Sequence, residues 1–546
     1  MKKRLFKYAA FALSASLITA AFTSCGDNSE SSSSYSPNRD YGKTKNAVSE
    51  SSYADAEESY EGENFDDGFS TANEEYKQFE ESGFKDPKTE PLSTFSADVD
   101  TASYSNVRRL IENGNKVPED AVRIEEFVNY FDYNYPDPEK DETFSQYIEI
   151  ADCPWNTKTK LMMLGIQGDR MRDTELPPSN LVFLIDSSGS MNSYDKLPLV
   201  QQAFGMLTEN LRECDRISIV TYASSSDTLI SGASAAEADE VYDALYSITA
   251  NGSTNGEGGI ETAYRLAEKY FIEGGNNRII LATDGDLNVG ASSEEELTEL
   301  IEEKRDNGIY LSVLGFGTGN YKDARLEAVA DNGNGNYSYI DSVEEAERVL
   351  VKEMSGTLFT IAKDVKLQVE FNPSTVKSYR LIGYDNRLMN AEDFYDNTKD
   401  AGEVGAGHSV TALYEVELAG GANTYHGVEL EFADEHSQPF DEPETSGRTE
   451  LCKLSVTYKD IDSGEDIYRS KLFGMEKYSE KPSDKIILAG AAAEFAMVLK
   501  NSEYKMDSTY NHVLDSIESM EHVDDKTEEL AYLVNCQLDY LIDSVR

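Results

Sequence analysis

A carboxylate and two hydroxyls stand at alternate positions directly after an apolar run. Asp186, Ser188 and Ser190 are each separated by one residue, and residues 181–185 before them are all apolar. Carboxylate and hydroxyl oxygens are hard donors that suit Mg²⁺ or Ca²⁺. The same short pattern also fits a polar turn that caps the following helix. The motif alone therefore leaves two alternatives open, a metal site and a plain turn.

Two further loops offer ligands of the same kind. Asp284 follows a second apolar run at residues 279–282, and Thr254 lies in a loop before a predicted helix at residues 258–271. Ligands of open α/β sheets bind at the carboxyl ends of the strands. We therefore expect these loops to meet at one sheet edge, which favours the metal site over the plain turn.

The elements that must position these loops alternate between strand and helix from residue 180 to residue 363. Apolar strands are predicted at residues 181–185, 217–220, 279–282 and 309–314, and amphipathic helices at residues 197–211, 238–248, 258–271 and 294–304. Near-continuous apolar strands separated by helices are typical of a parallel sheet that is covered on both faces. The sequence therefore predicts a doubly wound, Rossmann-like α/β domain.

This combination of loops and elements resembles a von Willebrand factor type A (vWA) domain with a complete metal-ion-dependent adhesion site (MIDAS). The resemblance implies that Asp186, Ser188, Ser190, Thr254 and Asp284 hold Mg²⁺, or Ca²⁺ or Mn²⁺, some of them through water. It also implies that an open metal position takes an acidic residue of a partner protein, which is binding and not catalysis.

The resemblance extends beyond the α/β domain. Residues 91–101 and 123–131 resemble the N-terminal region of the YfbK-like group of bacterial vWA proteins. Residues 383–387 and 400–408 resemble the region of unknown function that follows the vWA domain in that group. The resemblance therefore covers most of the chain from residue 91 onward.

The N-terminus has the pattern of an export signal. Lys2, Lys3 and Arg4 precede an apolar run at residues 8–22, and Cys25 follows small residues. A basic start and an apolar run too short to span a bilayer are typical of a secretory signal. We expect a lipoprotein signal peptide at residues 1–25 with lipidation of Cys25, and hence a membrane-anchored, extracytoplasmic protein of the cell envelope. An ordinary signal peptide with a chance cysteine is the alternative.

Residues 26–90 are acidic and rich in serine, without a sustained apolar period, so we expect a disordered tether there. We divide the rest into an accessory region at residues 91–177, the vWA domain at 178–363 and a C-terminal domain at 364–546, which begins β-rich and ends helical.

The flanking regions carry alternating runs that predict strands on both sides of the vWA domain. They lie at residues 147–150 and 161–166 before it, and at residues 365–371, 410–418, 428–432, 453–458 and 468–473 after it. Two strands alone cannot form a stable sheet, and the ends of a doubly wound domain can lie close together. We therefore expect the vWA domain to be inserted into one β-sandwich-like domain. Helices are expected beside it at residues 101–113 and 123–131, and at three places after residue 484.

Composition excludes some classes of function. The chain has 102 acidic against 49 basic residues, a formal charge of −53, which argues against a nucleic-acid partner. With five cysteines and five histidines, a disulfide framework or a zinc cluster is not expected. The pairing of the cysteines after Cys25 stays open, namely that of Cys153, Cys214, Cys452 and Cys536.

Three other sequence patterns offer alternatives to the metal site. Residues 284–295 partly resemble an EF-hand loop, but Val289 stands where the turn needs glycine. The glycines at 315, 317 and 319 lack the spacing of a nucleotide-binding loop. His408 would be the candidate catalytic residue if the protein were a hydrolase, although a lone histidine is more often structural.

The leading interpretation is a lipid-anchored module that binds a protein ligand through a metal-bound carboxylate. The main alternative is a structural or assembly factor of the envelope in which the metal site is structural or vestigial.

Overall fold

The computed structural model describes residues 74–140, 142–170, 176–253, 256–285, 294–318, 322–396, 398–419, 450–461 and 463–544. The predicted signal peptide, Cys25, most of the predicted tether, Thr254 and the predicted strand at residues 428–432 lie outside these residues.

Before the α/β domain the described residues form three strands and two α-helices. They are β1 (Leu92–Ser96), α1 (Ala102–Glu112), α2 (Ile124–Asn129), β2 (Phe144–Asp152) and β3 (Lys160–Gly168). Helices α1 and α2 and strands β2 and β3 correspond to elements predicted from the sequence, with ends that differ by a few residues.

The α/β domain follows. Its elements are β4 (Ser179–Asp186), α3 (Leu197–Asn210), β5 (Arg216–Tyr222), β6 (Ser226–Ser234), α4 (Ala238–Ser247), α5 (Gly256–Lys269), β7 (Asn276–Thr283), α6 (Glu294–Asp306), β8 (Ile309–Phe316), α7 (Asp323–Asn332), β9 (Tyr337–Ile340), α8 (Val343–Glu347) and α9 (Met354–Leu358). A π-helical turn at Arg348–Lys352 separates α8 from α9.

The strands of this domain form one sheet in the order β6-β5-β4-β7-β8-β9. Strands β4, β5, β7, β8 and β9 are parallel, whereas β6 is antiparallel to β5. The chain leaves β4 towards β5 on one side and later returns to β7 on its other side, so the topological switch point lies at β4. Strand β6, a partly exposed edge strand of mostly polar sequence, is antiparallel and was not among the strands predicted for the parallel sheet.

In the part after the α/β domain that the structure describes, the chain forms seven strands and then three α-helices. They are β10 (Thr360–Phe371), β11 (Val376–Ile382), β12 (Leu388–Met389), β13 (Gly402–Gly405), β14 (Ser409–Leu418), β15 (Glu450–Asp460), β16 (Asp466–Gly474), α10 (Asp484–Leu499), α11 (Tyr510–Glu518) and α12 (Asp525–Ser544).

Strands from both sides of the α/β domain build two sheets. One has the order β11-β14-β3-β2, and the other has the order β12-β1-β10-β15-β16 with β13 beside β10. Strand β3 pairs antiparallel with β14, for example Leu164 opposite Ala412, and β1 pairs with β10. One buried core contains Met162 and Tyr414 from the first sheet together with Phe95 and Leu367 from the second. The predicted insertion of the α/β domain into a β-sandwich is therefore confirmed.

The outer face of the sheet β11-β14-β3-β2 is covered by helices from both ends of the described chain. Met163 and Leu413 of this sheet share a core with Phe127 of α2, Phe495 of α10 and Leu533 of α12. The sequence of α10 is apolar on all sides because the helix lies at the centre of this layer. None of the helices in the described ranges combines the length and apolarity needed to cross a bilayer.

Residues 74–90, expected to be part of the tether, pack against the folded unit. The Glu74 carboxylate accepts hydrogen bonds of 3.1 and 3.0 Å from Arg109, and Lys85 exchanges backbone hydrogen bonds with Tyr379. The packed chain therefore begins no later than Glu74. The sequence did not predict this packing, because isolated β-bridges and ion pairs hold the segment. Such contacts require no periodic pattern of apolar residues.

Ion pairs, most of them buried, join the α/β domain to the rest of the folded chain. Arg387, which follows β11, donates to Asp98 and Asp100 of the accessory region and to Glu327 and Asp331 of α7, at 2.8 to 3.1 Å.

Candidate metal site

The first predicted ligands lie at the end of β4, at the switch point of the sheet. Asp186 is the last residue of the strand and is fully buried. Its Oδ1 accepts a hydrogen bond of 2.9 Å from the backbone N–H of Ser188, so the carboxylate itself shapes the turn. The Oγ atoms of Ser188 and Ser190 lie 2.9 Å apart. The turn therefore gathers one carboxylate and two hydroxyls.

The second carboxylate comes from the neighbouring strand. Strand β7 pairs with β4 so that Ile185 lies opposite Ala282, which brings Asp284 beside Asp186 at the same sheet edge. Thr283 Oγ1 donates to Asp186 Oδ2 over 3.4 Å. In the described part of the chain, the buried Oδ1 of Asp284 has no hydrogen-bond partner. This oxygen is free to accept a further cation or donor.

Thr254 lies outside the described residues, but the backbone just before it reaches the site. Asn251 N donates to Ser187 O over 2.8 Å, and Gly189 N donates to Gly252 O over 3.0 Å. Gly252 has φ +81°, and a Cβ there would lie 2.6 Å from Ser224 Oγ. Only glycine fits this approach without strain. The loop that carries Thr254 is thus fastened to the loop that carries Ser188.

The electrostatics of the site favour an added cation. Burial, assisted by the nearby Asp284 carboxylate, raises the pKa of Asp186 to about 6, although the hydrogen bonds from Ser188 oppose the shift. Lys196 Nζ donates to Asp284 Oδ2 over 2.9 Å, so one ammonium faces two buried carboxylates. Hard oxygen donors, excess negative charge and the unpartnered Asp284 Oδ1 together fit a divalent ion such as Mg²⁺.

Within the described ranges, no three His, Cys, Asp or Glu side chains come together as a metal-ligand cluster. A metal at this site therefore depends on hydroxyl ligands as well as on the two carboxylates.

Sequence reasoning missed Lys196, which belongs to no motif and lies 88 residues from its partner in the chain. A signal was present at Gly317, one of the glycines after β8. Gly317 has φ +73°, and a Cβ there would lie 2.3 Å from Lys196 Cε. This glycine therefore makes room for the lysine stem.

The other sequence patterns do not contribute to the site. Residues 286–293 of the EF-hand-like stretch lie outside the described residues, and Asp284 follows a strand. His408 lies just before β14 against Gly356 of α9. Burial lowers the pKa of its imidazole, although the Glu353 carboxylate raises it, and no described group hydrogen-bonds to its buried Nδ1. The four cysteines Cys153, Cys214, Cys452 and Cys536 are free thiols.

Comparison with known families matches three consecutive stretches. Residues 180–352 match the model described as von Willebrand factor type A domain. Residues 70–163 match a model described as von Willebrand factor, and residues 356–538 match the model described as Uncharacterized protein YfbK, C-terminal.

Two curated relatives differ in how much of the chain they share. The chain is 41% identical over 446 residues to Uncharacterized protein YfbK of Escherichia coli K12, covering 80% of this chain and 76% of the relative. It is 26% identical over 235 residues to inter-alpha-trypsin inhibitor heavy chain H3 of Mesocricetus auratus, covering 41% of this chain and 25% of that protein.

Among solved structures, a von Willebrand factor type A protein from Catenulispora acidiphila matches with a TM-score of 0.40 and 15% identity. The match covers 73% of this chain and 91% of that one.

Proposed function

Because this chain belongs to the YfbK-like family of proteins with a vWA domain, we propose that it is a binding module that holds an acidic residue of a partner protein through a divalent metal ion. The vWA domain commonly binds proteins through a metal at a MIDAS. The observation that carries the proposal is the pair of buried carboxylates at the switch point, with Asp284 Oδ1 left without a donor among the described residues.

The proposed ligands are Asp186, Ser188, Ser190, Thr254 and Asp284, and the proposed ion is Mg²⁺, with Ca²⁺ or Mn²⁺ as alternatives. When bound, the ion supplies a positive position that can take a carboxylate. The protein's own contribution is to hold the oxygens in place: Ser188 N fixes the Asp186 carboxylate, and Thr283 Oγ1 holds its other oxygen. The hydroxyl ligands are neutral, so a divalent ion together with the Lys196 ammonium would leave one positive charge beyond the two carboxylates, which favours an acidic ligand over a basic one.

We further propose that the module is anchored outside the cytoplasm by a lipid on Cys25. The basic start of the chain, the apolar run at residues 8–22 and the small residues before Cys25 support this. The acidic segment after Cys25 would then serve as a spacer between the membrane and the folded unit.

A second candidate is a structural or assembly factor of the envelope whose metal site is vestigial. The ion pair of Lys196 with Asp284 favours it, because a built-in ammonium already compensates one of the two carboxylates.

Calorimetry with Mg²⁺ on the full chain tests the metal site. We expect one site, lost in Asp186→Ala and in Ser188→Ala while the fold persists. Asp239→Ala, which removes an exposed carboxylate of α4, is the matched control and should bind as the wild type does. Undiminished affinity in Asp186→Ala would refute the ligand assignment. Metal binding without any chelator-sensitive capture of an envelope protein would favour the second candidate.

A further inference from the structure

Lys196 forms a buried ion pair with Asp284, one of the proposed metal ligands. It stands at the start of α3, and its Nζ lies 2.9 Å from Asp284 Oδ2. The side chains of Lys196 and Asp284 are only 9% and 0% exposed. A buried ammonium and a buried carboxylate each lose hydration, so each needs the other as long as no further ion is present.

The surrounding chain holds this lysine in position. Gly317 has φ +73°, and any side chain there would overlap the methylenes of Lys196. Tyr339 donates its hydroxyl to Gly317 O over 2.7 Å, which fixes this glycine against β9. The backbone of Lys196 donates to Ser193 O and accepts from Val200 N. The path of the lysine to Asp284 is therefore fixed by packing from two sides.

The charges of the site lead to a competition. Asp186 and Asp284 supply two negative charges when ionised, and Lys196 supplies one positive charge. A divalent ion would bring the total positive charge to three against the same two carboxylates. The ammonium and the ion would then repel each other across a poorly hydrated site, where such repulsion is stronger than in water.

We propose that Lys196 is a resident counter-cation of the metal site, which competes with the divalent ion for the Asp284 carboxylate. It stabilises the metal-free chain and weakens metal binding, so that the affinity for the ion is set by the exchange of one cation for another. This proposal rests on the proposed function and adds to it a residue that regulates the site without being a metal ligand.

The test is the effect of removing the charge in the full chain. Lys196→Met and Lys196→Gln both remove the ammonium, and the glutamine keeps an N–H donor for Asp284. We expect Mg²⁺ affinity by calorimetry to rise about tenfold or more in both variants. We also expect the urea midpoint of the metal-free chain to fall, and saturating Mg²⁺ to raise that midpoint more than it does in the wild type.

Lys352→Met is the matched control, because Lys352 forms an exposed ion pair of 3.0 Å with Glu347. It should change neither metal affinity nor the midpoint. Unchanged or weaker affinity in the Lys196 variants, with metal binding intact in the wild type, would overturn this inference and leave the proposed function standing. No Mg²⁺ binding by the wild type would instead reject the proposed function. If Lys196→Met does not fold, the affinity of Lys196→Gln decides.

Discussion

Replacing Arg387 by methionine removes a positive charge that links the α/β domain to the accessory region. The guanidinium of Arg387 lies 3.1 Å from Asp98 and Asp100, 3.0 Å from Glu327 and 2.8 Å from Asp331. Methionine keeps most of the apolar stem but leaves these carboxylates without that partner. Arg123, which pairs with Glu327, is the other arginine of the cluster.

The magnitude follows from the burial of the cluster. The side chain of Arg387 is 13% exposed and that of Glu327 is 8% exposed. Removing one partner of a buried ion pair leaves an uncompensated charge, which costs about 3–5 kcal/mol. We expect a loss of that size in the free energy of unfolding at pH 7.5.

The stability lost in Arg387→Met should be smaller in acid, and the protonation of Glu327 gives the reason. Burial raises the pKa of Glu327 to about 7, although the arginines Arg123 and Arg387 lower it. Between the usual value and about 7 the folded chain keeps a proton that the unfolded chain has released, so stability falls as pH rises through this range. Without Arg387 the carboxyl should hold its proton more tightly. Protonation at pH 5 then removes the uncompensated charge.

Urea unfolding of the full chain at pH 5 and pH 7.5 measures both effects. Arg170→Met is the control, because Arg170 forms an exposed pair of 3.0 Å with Asp137 that should contribute at most about 1 kcal/mol at either pH. A penalty for Arg387→Met that is equal at the two pH values, or no larger than that of Arg170→Met, would show that the cluster is not electrostatically linked as described.

Two further predictions concern the anchor and the sandwich. Cys25→Ser should release the protein from membranes, because a thioether-linked lipid is the only strong attachment we expect; retention in the membrane fraction after a high-salt wash would rule out the lipoprotein assignment. Glu415→Ala should lower the free energy of unfolding by about 3–5 kcal/mol, since it leaves the buried Arg380, 3.2 Å away, without its carboxylate. Glu417→Ala on the same strand loses a solvent-accessible pair with Lys377 and a hydrogen bond from Ser378 and should cost less, at most about 1 kcal/mol, so equal losses in urea unfolding would contradict the argument.

The central strands of the α/β domain were predictable because burial on both faces requires continuous apolar residues. Strands β4, β5, β7 and β8 carry such runs, and all four lie where they were expected. Strand β6 has a mostly polar sequence, since an edge strand with one exposed face needs few apolar residues. Strand β9 has four residues, too few to establish a period.

The sequence predicts those residues of the site whose positions depend on local structure, but not those whose partners are distant in the chain. Asp186 and Asp284 stand at the carboxyl ends of buried strands, so local sequence places them at the sheet edge. Lys196 acts only through a partner 88 residues away, and Arg387 reaches Asp98 across 289 residues. Local patterns show that such residues are charged, but the fold alone decides which charges meet.

The ion pairs between the α/β domain and the rest of the folded chain also affect how the metal site could communicate with the rest of the molecule. Besides Arg387, Arg108 of α1 donates to Asp341 and Glu345 of the α/β domain at 2.6 and 2.9 Å. A rotation of the α/β domain against the sandwich would have to separate these pairs, which would expose their charges or leave them buried without a partner. Breaking one such pair costs about 3–5 kcal/mol, and the rotation has to separate several pairs at once, whereas the proposed exchange of cations at Asp284 breaks a single pair. A signal from the metal site should therefore pass through local movement of the loops around Ser188 and Gly317 and leave these ion pairs intact.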